Sequence, residues 1–257
     1  MLKISFLGCS WTHGHNLPYT STYPFIVHDN LNKSNVENQV INAGREGASW
    51  FNYPDNLKYI HKKYNPDLYV IQHTTPDRGM LLWCSDKAKY QNISRDHDVY
   101  DNYIQLWDNT QSYYHLTVGM AERMIADEQS ELINHMFTEI QRKSSLKKDE
   151  IISRIKYWLE QERLHPLMFN KYNETIDYCD MYVKKINKKI LHIFWLNDLF
   201  VPDDLDNKLI IEKEINFKDH VVDNGYHFDK QGNSKVADLI LRECRLDDKS
   251  NTFWPVF

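Results

Sequence analysis

A hydroxyl becomes a nucleophile when a base can take its proton, N–H groups can hold the oxyanion that forms, and a rigid turn exposes it. Ser10 has the turn. The apolar run Ile4 to Leu7 stops at Gly8-Cys9-Ser10, which reads as a buried strand ending in a sharp bend. Open α/β sheets bind ligands just past their strands' carboxyl ends, where Ser10 is then expected. His227 is the candidate base. It stands in Asn224-Gly-Tyr-His227-Phe-Asp-Lys-Gln-Gly232, between a short apolar segment and a terminal helix, and imidazole titrates in the range a general base needs. Gly44 and Gly47, in Asn42-Ala-Gly44-Arg-Glu-Gly47, can bring backbone N–H groups close to a reacting atom, and the Ser10 amide can supply another. The chemistry implied is acyl transfer through a serine. His13 and His15 form an H-x-H pair beside the nucleophile. No third and fourth ligand stand at suitable spacing, so no metal is expected.

These residues need elements to position them. Tyr23 to Leu31 reads as a helix, Val36 to Ile41 as a strand, Asn52 to Tyr64 as a helix broken at Asn65-Pro66, and Leu68 to Gln72 as a strand. That strand is apolar nearly throughout, as a central parallel strand should be. Strand, helix, strand, helix, strand is a βαβ series. Residues 79 to 189 break the rhythm. Ser85 to Asn109 is polar and reads as irregular; Tyr113 to Arg142 reads as one long helix, Lys148 to Leu164 as a second and Asn170 to Lys188 as a third. Such a block is too long for a loop and is expected to be a helical insertion or cap over the sheet's carboxyl edge. Ile190 to Leu196 returns to strand, Lys208 to Phe217 carries no clear period, and Ser234 to Arg245 closes the chain with a helix. The expectation is a single domain, 1–257, with the insertion at about 79–189.

Composition bounds the function. With 42% hydrophobic and 26% charged residues the chain can build a core. A net charge of −5 argues against a nucleic-acid partner. Cys9, Cys84, Cys179 and Cys244 lie far apart with no C-x-x-C pair, which fits reduced thiols in the cytoplasm. No apolar run reaches the ~18 residues that span a bilayer, and the amino terminus does not read as a signal peptide. The segment Asn251 to Phe257 is apolar and offers a surface for homo-oligomer formation.

Taken in order, Gly8-Cys-Ser-Trp-Thr-His-Gly14, Asn42-Ala-Gly-Arg-Glu-Gly47, Asp67 to Asp77 and Asn224 to Gly232 resemble the blocks of the SGNH/GDSL hydrolase family. The resemblance implies a three-layer α/β/α flavodoxin-like fold with a parallel sheet; it does not cover the large helical insertion. It makes Ser10 the nucleophile, His227 its base and Gly47 a member of the oxyanion hole with the Ser10 amide. Three positions depart from the family's pattern. Gly-Asp-Ser is here Gly8-Cys9-Ser10. The third block's oxyanion Asn falls at Pro76, which has no N–H, so Thr74, Thr75 or His73 must substitute. The ending Thr74-x-Pro76-x-Arg78 resembles a variant branch in which Thr74 and Arg78 line the site. The acid expected three residues before the base is Asn224, with Asp223 one step earlier. Either Asp223 reaches His227, or Asn224 orients the imidazole by a hydrogen bond, or the pair works as a dyad. Gly44, His73 and Arg78 are expected along the substrate, Arg78 either as a charge at the rim of the site or against an anionic group.

The resemblance implies a serine esterase that removes a short, acetyl-type acyl group from an ester without a cofactor. The 16 Tyr and 7 Trp either serve core packing and interfaces or line a groove for a carbohydrate ester. An O-acyltransferase acting on a sugar or polysaccharide is the alternative on the same fold. A binding module that has lost the chemistry is the alternative from another class.

Overall fold

The computed structural model describes residues 1–14, 17–44, 48–76, 78–81, 97–100, 102–106, 114–127, 130–143, 146–164, 167–195, 201–216, 219–222 and 227–246. Strand β1 (Leu2–Gly8) leads through the short helix α1 (Ser10–His13) and α2 (Tyr23–Lys33) to β2 (Asn38–Gly44). Helix α3 (Tyr53–Tyr64) and strand β3 (Leu68–His73) follow, then β4 (Arg78–Leu81), β5 (His97–Tyr100), β6 (Tyr103–Gln105) and β7 (Tyr114–Thr117). Four helices come next: α4 (Val118–Ala126), α5 (Glu131–Lys143), α6 (Lys148–Leu164) and α7 (Leu167–Lys185). The chain ends in β8 (Lys189–Phe194), β9 (Lys208–Ile210), α8 (Ile211–Glu214), the hairpin β10 (Val221–Val222) and β11 (His227–Phe228), and α9 (Lys230–Glu243).

The main sheet has the order β5-β6-β2-β1-β3-β8-β9. All of its pairings are parallel except that of β5 with β6. Alternate residues of the central strands feed two different cores, because successive side chains point to opposite faces. Ile4, Phe6, Val40, Leu68, Val70, Leu191 and Ile193 pack under α2 and α9. Leu7, Ile41, Tyr69, Ile71, Ile190 and Phe194 pack under α3 and α7. Both faces are covered, which is why these strands read as unbroken apolar runs. This is the three-layer α/β/α architecture expected. Strand β1 lies between β2 and β3, so the chain's direction of winding reverses there and leaves the ligand crevice of a doubly wound sheet at its carboxyl end.

The 79–189 block divides. Tyr172, Ile176, Cys179 and Val183 put α7 in the outer layer of the sheet. Helices α4, α5 and α6 close a third core around Met124, Ile133, Phe137, Ile140, Ile151 and Ile155. Trp158 packs against both that core and the sheet's. The single long helix expected over Tyr113 to Arg142 is instead β7, α4 and α5, with Tyr113 outside the described residues. The Thr117 hydroxyl accepts the Met120 N–H at 3.1 Å and starts α4 afresh. Both halves keep a helical period because both face α6, so periodicity alone cannot reveal the break. Within the irregular stretch expected from Ser85 to Asn109, β6 is a strand of the main sheet, too short at three residues to show a period. The last helix starts at Lys230 rather than Ser234, since the Asp229 side chain caps it through the Gly232 N–H. Gly232 looks like a turn residue but serves packing: a Cβ there would lie 2.7 Å from the Phe228 ring. Among the described residues no helix is long and apolar enough to cross a membrane. The apolar segment 251–257 lies outside the described residues.

Candidate active site

Ser10 is the first residue of α1, directly past the end of β1. Its Oγ lies 2.9 Å from Nε2 of His227, 217 residues away. That is hydrogen-bond distance for proton transfer between a hydroxyl and an imidazole.

The turn that carries Ser10 is clamped from below. Gln72 Oε1, at the end of β3, accepts the Cys9 N–H at 2.9 Å, the Cys9 thiol at 3.1 Å and the Thr12 hydroxyl at 3.1 Å. The Cys9 N–H can only donate, so the amide oxygen of Gln72 must face it. Thr12 gives its proton to Gln72, and the Tyr23 hydroxyl therefore donates to Thr12 Oγ1, at 2.6 Å. Burial pushes the Tyr23 phenol well above its ordinary range and keeps it protonated for that role. Gly8 makes room for this clamp: a Cβ on it would meet Gln72 Oε1 at 2.6 Å. From the other side, Asn42 Nδ2 donates to the Thr12 carbonyl at 3.1 Å. The second glycine block presses on the same turn, since a Cβ on Gly44 would lie 2.5 Å from the His13 amide nitrogen.

The base stands at the start of β11. The hairpin with β10 pairs His227 with Val222. Behind the reacting pair lies an aromatic wall. Trp11 packs on Trp195 at 4.5 Å between centroids and edge-on to Phe228 at 4.7 Å, and its ring is 5.7 Å from that of His227. Asn233, buried in α9, ties the hairpin down by donating to the Phe228 carbonyl at 3.4 Å and the Asp229 carbonyl at 3.0 Å. Its Oδ1 accepts the Tyr23 N–H at 3.0 Å, satisfying one of the donors that the first turn of α2 leaves open.

The structure thus brings Ser10 and His227 together. Thr74, buried, and Thr75, half-buried, follow β3 at the same sheet edge. Arg78 opens β4, its backbone paired with Thr117. Gly47, Asp223, Asn224 and His15 lie outside the described residues. The Gly44 N–H, expected towards a reacting atom, donates to Asn42 Oδ1 at 2.9 Å instead. His73 also departs. It is 2% exposed and points into the α3/α7 layer, stacked on Phe194 at 4.6 Å, so it offers a substrate no surface. Its Nε2 lies 2.8 Å from His192 Nδ1, and His192 Nε2 lies 3.6 Å from Asp180 Oδ1. The carboxylate assigns the His192 proton to Nε2, so His73 donates to His192. Burial lowers both imidazoles below their ordinary range, His73 strongly, and both stay neutral. Gln72, Thr12, Tyr23 and Asn233 escape a search for reactive side chains. One signal was available: Gln72 interrupts the apolar run of a central strand.

No protein-family model matches the sequence, and no curated protein matches it significantly. Solved structures do match. The psychrotrophic esterase EstA from Pseudoalteromonas sp. aligns over 95% of this chain and 97% of its own, with a TM-score of 0.51 at 10% identity. TesA aligns over 96% and 99%, with a TM-score of 0.50 at 8% identity. A member of the lipolytic G-D-S-L family from Veillonella parvula DSM 2008 aligns over 94% and 97%, with a TM-score of 0.38 at 13% identity. The likeness is one of fold: this chain shares its α/β/α architecture with EstA and TesA.

Proposed function

We propose that this protein is a serine esterase acting on short acyl esters. The observation that carries the reading is the 2.9 Å approach of His227 Nε2 to Ser10 Oγ at the carboxyl edge of β1. His227 takes the Ser10 proton as Oγ attacks the acyl carbonyl, then returns it to the leaving alcohol; water, activated by the same imidazole, resolves the acyl-enzyme. The Ser10 and Gly47 amides, with Thr74 or Thr75, hold the oxyanion. Asp223 or Asn224 orients His227 through its other ring nitrogen, and Arg78 borders the substrate. Trp11, half-buried beside His227, supplies apolar surface against the bound ester, and a sugar is the leaving group that its ring suits. EstA being an esterase with this fold supports the reading.

The test is hydrolysis of p-nitrophenyl acetate by the wild type, Ser10→Ala and His227→Ala. Each substitution is expected to lower kcat by at least about 10³-fold while the thermal melt stays in place. A Ser10→Ala protein as active as the wild type would sink the proposal. So would a wild type inert towards a panel of short acyl esters whose Ser10 no fluorophosphonate labels.

A further inference from the structure

The reacting pair stands on two separate segments, the turn after β1 and the β11 hairpin, and a run of buried hydrogen bonds joins their backbones. It begins next to the nucleophile, at the Cys9 N–H, which donates to Gln72 Oε1 at 2.9 Å. The same oxygen accepts the Thr12 hydroxyl at 3.1 Å, and Thr12 accepts the Tyr23 hydroxyl at 2.6 Å. Tyr23 then donates its own N–H to Asn233 Oδ1 at 3.0 Å. Asn233 Nδ2 ends the run next to the base, at the Phe228 carbonyl, at 3.4 Å. Thr12, Tyr23 and Gln72 are fully buried, and Asn233 is 2% exposed. None of them lies where it could touch a substrate.

We infer that Gln72, Thr12, Tyr23 and Asn233 are positioning residues that set the Ser10–His227 distance as one unit. The inference rests on the esterase reading of that pair. Its physical basis is that a proton can pass only over a narrow range of distance and angle, while two independently anchored segments would each drift. Buried links in series also hold one another: each satisfies a polar group that would otherwise be stranded in the core. Thr12 is the hub. Its single hydroxyl accepts from α2 and donates to β3, so a methyl in its place leaves Tyr23 and Gln72 each one partner short.

Steady-state hydrolysis of p-nitrophenyl acetate by Thr12→Val, Tyr23→Phe and the double variant tests this, with Thr12→Ser as the conservative rescue and Ser10→Ala alongside. Each single variant is expected to lose roughly 10- to 100-fold in kcat with KM held within about twofold. The double variant should fall no more than about threefold below the worse single one, because links in one run are not additive. Thr12→Ser, which keeps the hydroxyl, should stay within about threefold of the wild type. Folded variants with unchanged kcat, a loss that appears in KM instead, or a double loss equal to the product of the single ones would each overturn the inference. If Thr12→Val does not fold, Tyr23→Phe decides alone, since it keeps the ring that fills the core. Turnover that depends on Ser10 but ignores Tyr23→Phe removes the positioning network and leaves the esterase reading. A wild type with no turnover that depends on Ser10 removes both.

Discussion

Ser10 and His73 show how differently two reactive side chains can be placed at one sheet edge. Ser10 lies past its strand in reach of an imidazole, whereas His73 ends its strand facing the α3/α7 layer and is sealed against Phe194, Tyr172 and His192. That burial makes a prediction. The charged groups around the His73–His192 pair are Asp180, with Lys184 beside it, and Asp177, all on α7, and burial lowers both imidazoles. A histidine held neutral in the folded state binds fewer protons than in the unfolded chain. Its contribution to stability is then complete above the unfolded value near 6.5 and falls as the pH drops below it. Asp180 acts in another window. Burial raises it, but hydrogen bonds from His192 and Lys184 outweigh burial and leave it lowered, so its contribution is lost only below about pH 4. Chemical denaturation near pH 7.5 and near pH 5.5 should therefore show lower stability at the acid end, by about 1.4 kcal/mol per proton and pH unit. His73→Phe should flatten that slope. A slope identical in wild type and His73→Phe would show that His73 titrates normally.

At the scale of elements, the four-residue helix α1 has little stability of its own. It holds its shape because β2 and β3 grip it through Asn42 and Gln72, and because two glycines allow the approach. Gly44→Ala would drive a methyl into the backbone at His13. It is expected to cost about 2–3 kcal/mol in urea unfolding and to lower ester hydrolysis even where the protein stays folded. A Gly44→Ala protein as stable and active as the wild type would mean that the turn is not packed as tightly as these distances imply. Asn233→Ala removes a cap offered by α9 to α2. A loss of about 1–2 kcal/mol in the same experiment is expected.

For the whole molecule, the sheet with its two helical layers is one structural unit and the α4–α6 cluster is an addition with its own core. Trp158 bridges the two cores. Trp158→Ala should cost about 2 kcal/mol, less than the ~3–5 kcal/mol of a fully buried Trp. The loss should fall locally, so that limited proteolysis cuts within residues 118–164 sooner while β1–β3 stay protected. Equal protection in wild type and variant would show that the cluster stands without this bridge.

How much of this was legible depends on range. The α/β class, the doubly wound sheet and the location of Ser10 past its first strand follow from local pattern. Apolar runs buried on both faces, helical periods between them and a glycine stop after β1 are properties of neighbouring residues, and each is enough to specify its element. Local pattern also misled where several elements share one hub, as over α4 and α5. Contact between distant segments was decided only by the tertiary structure. Gln72 and His73 are adjacent in β3, and the histidine is the residue that chemistry singles out. Yet side chains alternate across a sheet, so one residue of register sends Gln72 to the nucleophile turn and His73 to the opposite core. The 2.9 Å between Ser10 and His227 is of the same kind. Residue types name both partners, but only the packing of α9 on α2 and of β1 between β2 and β3 brings them together.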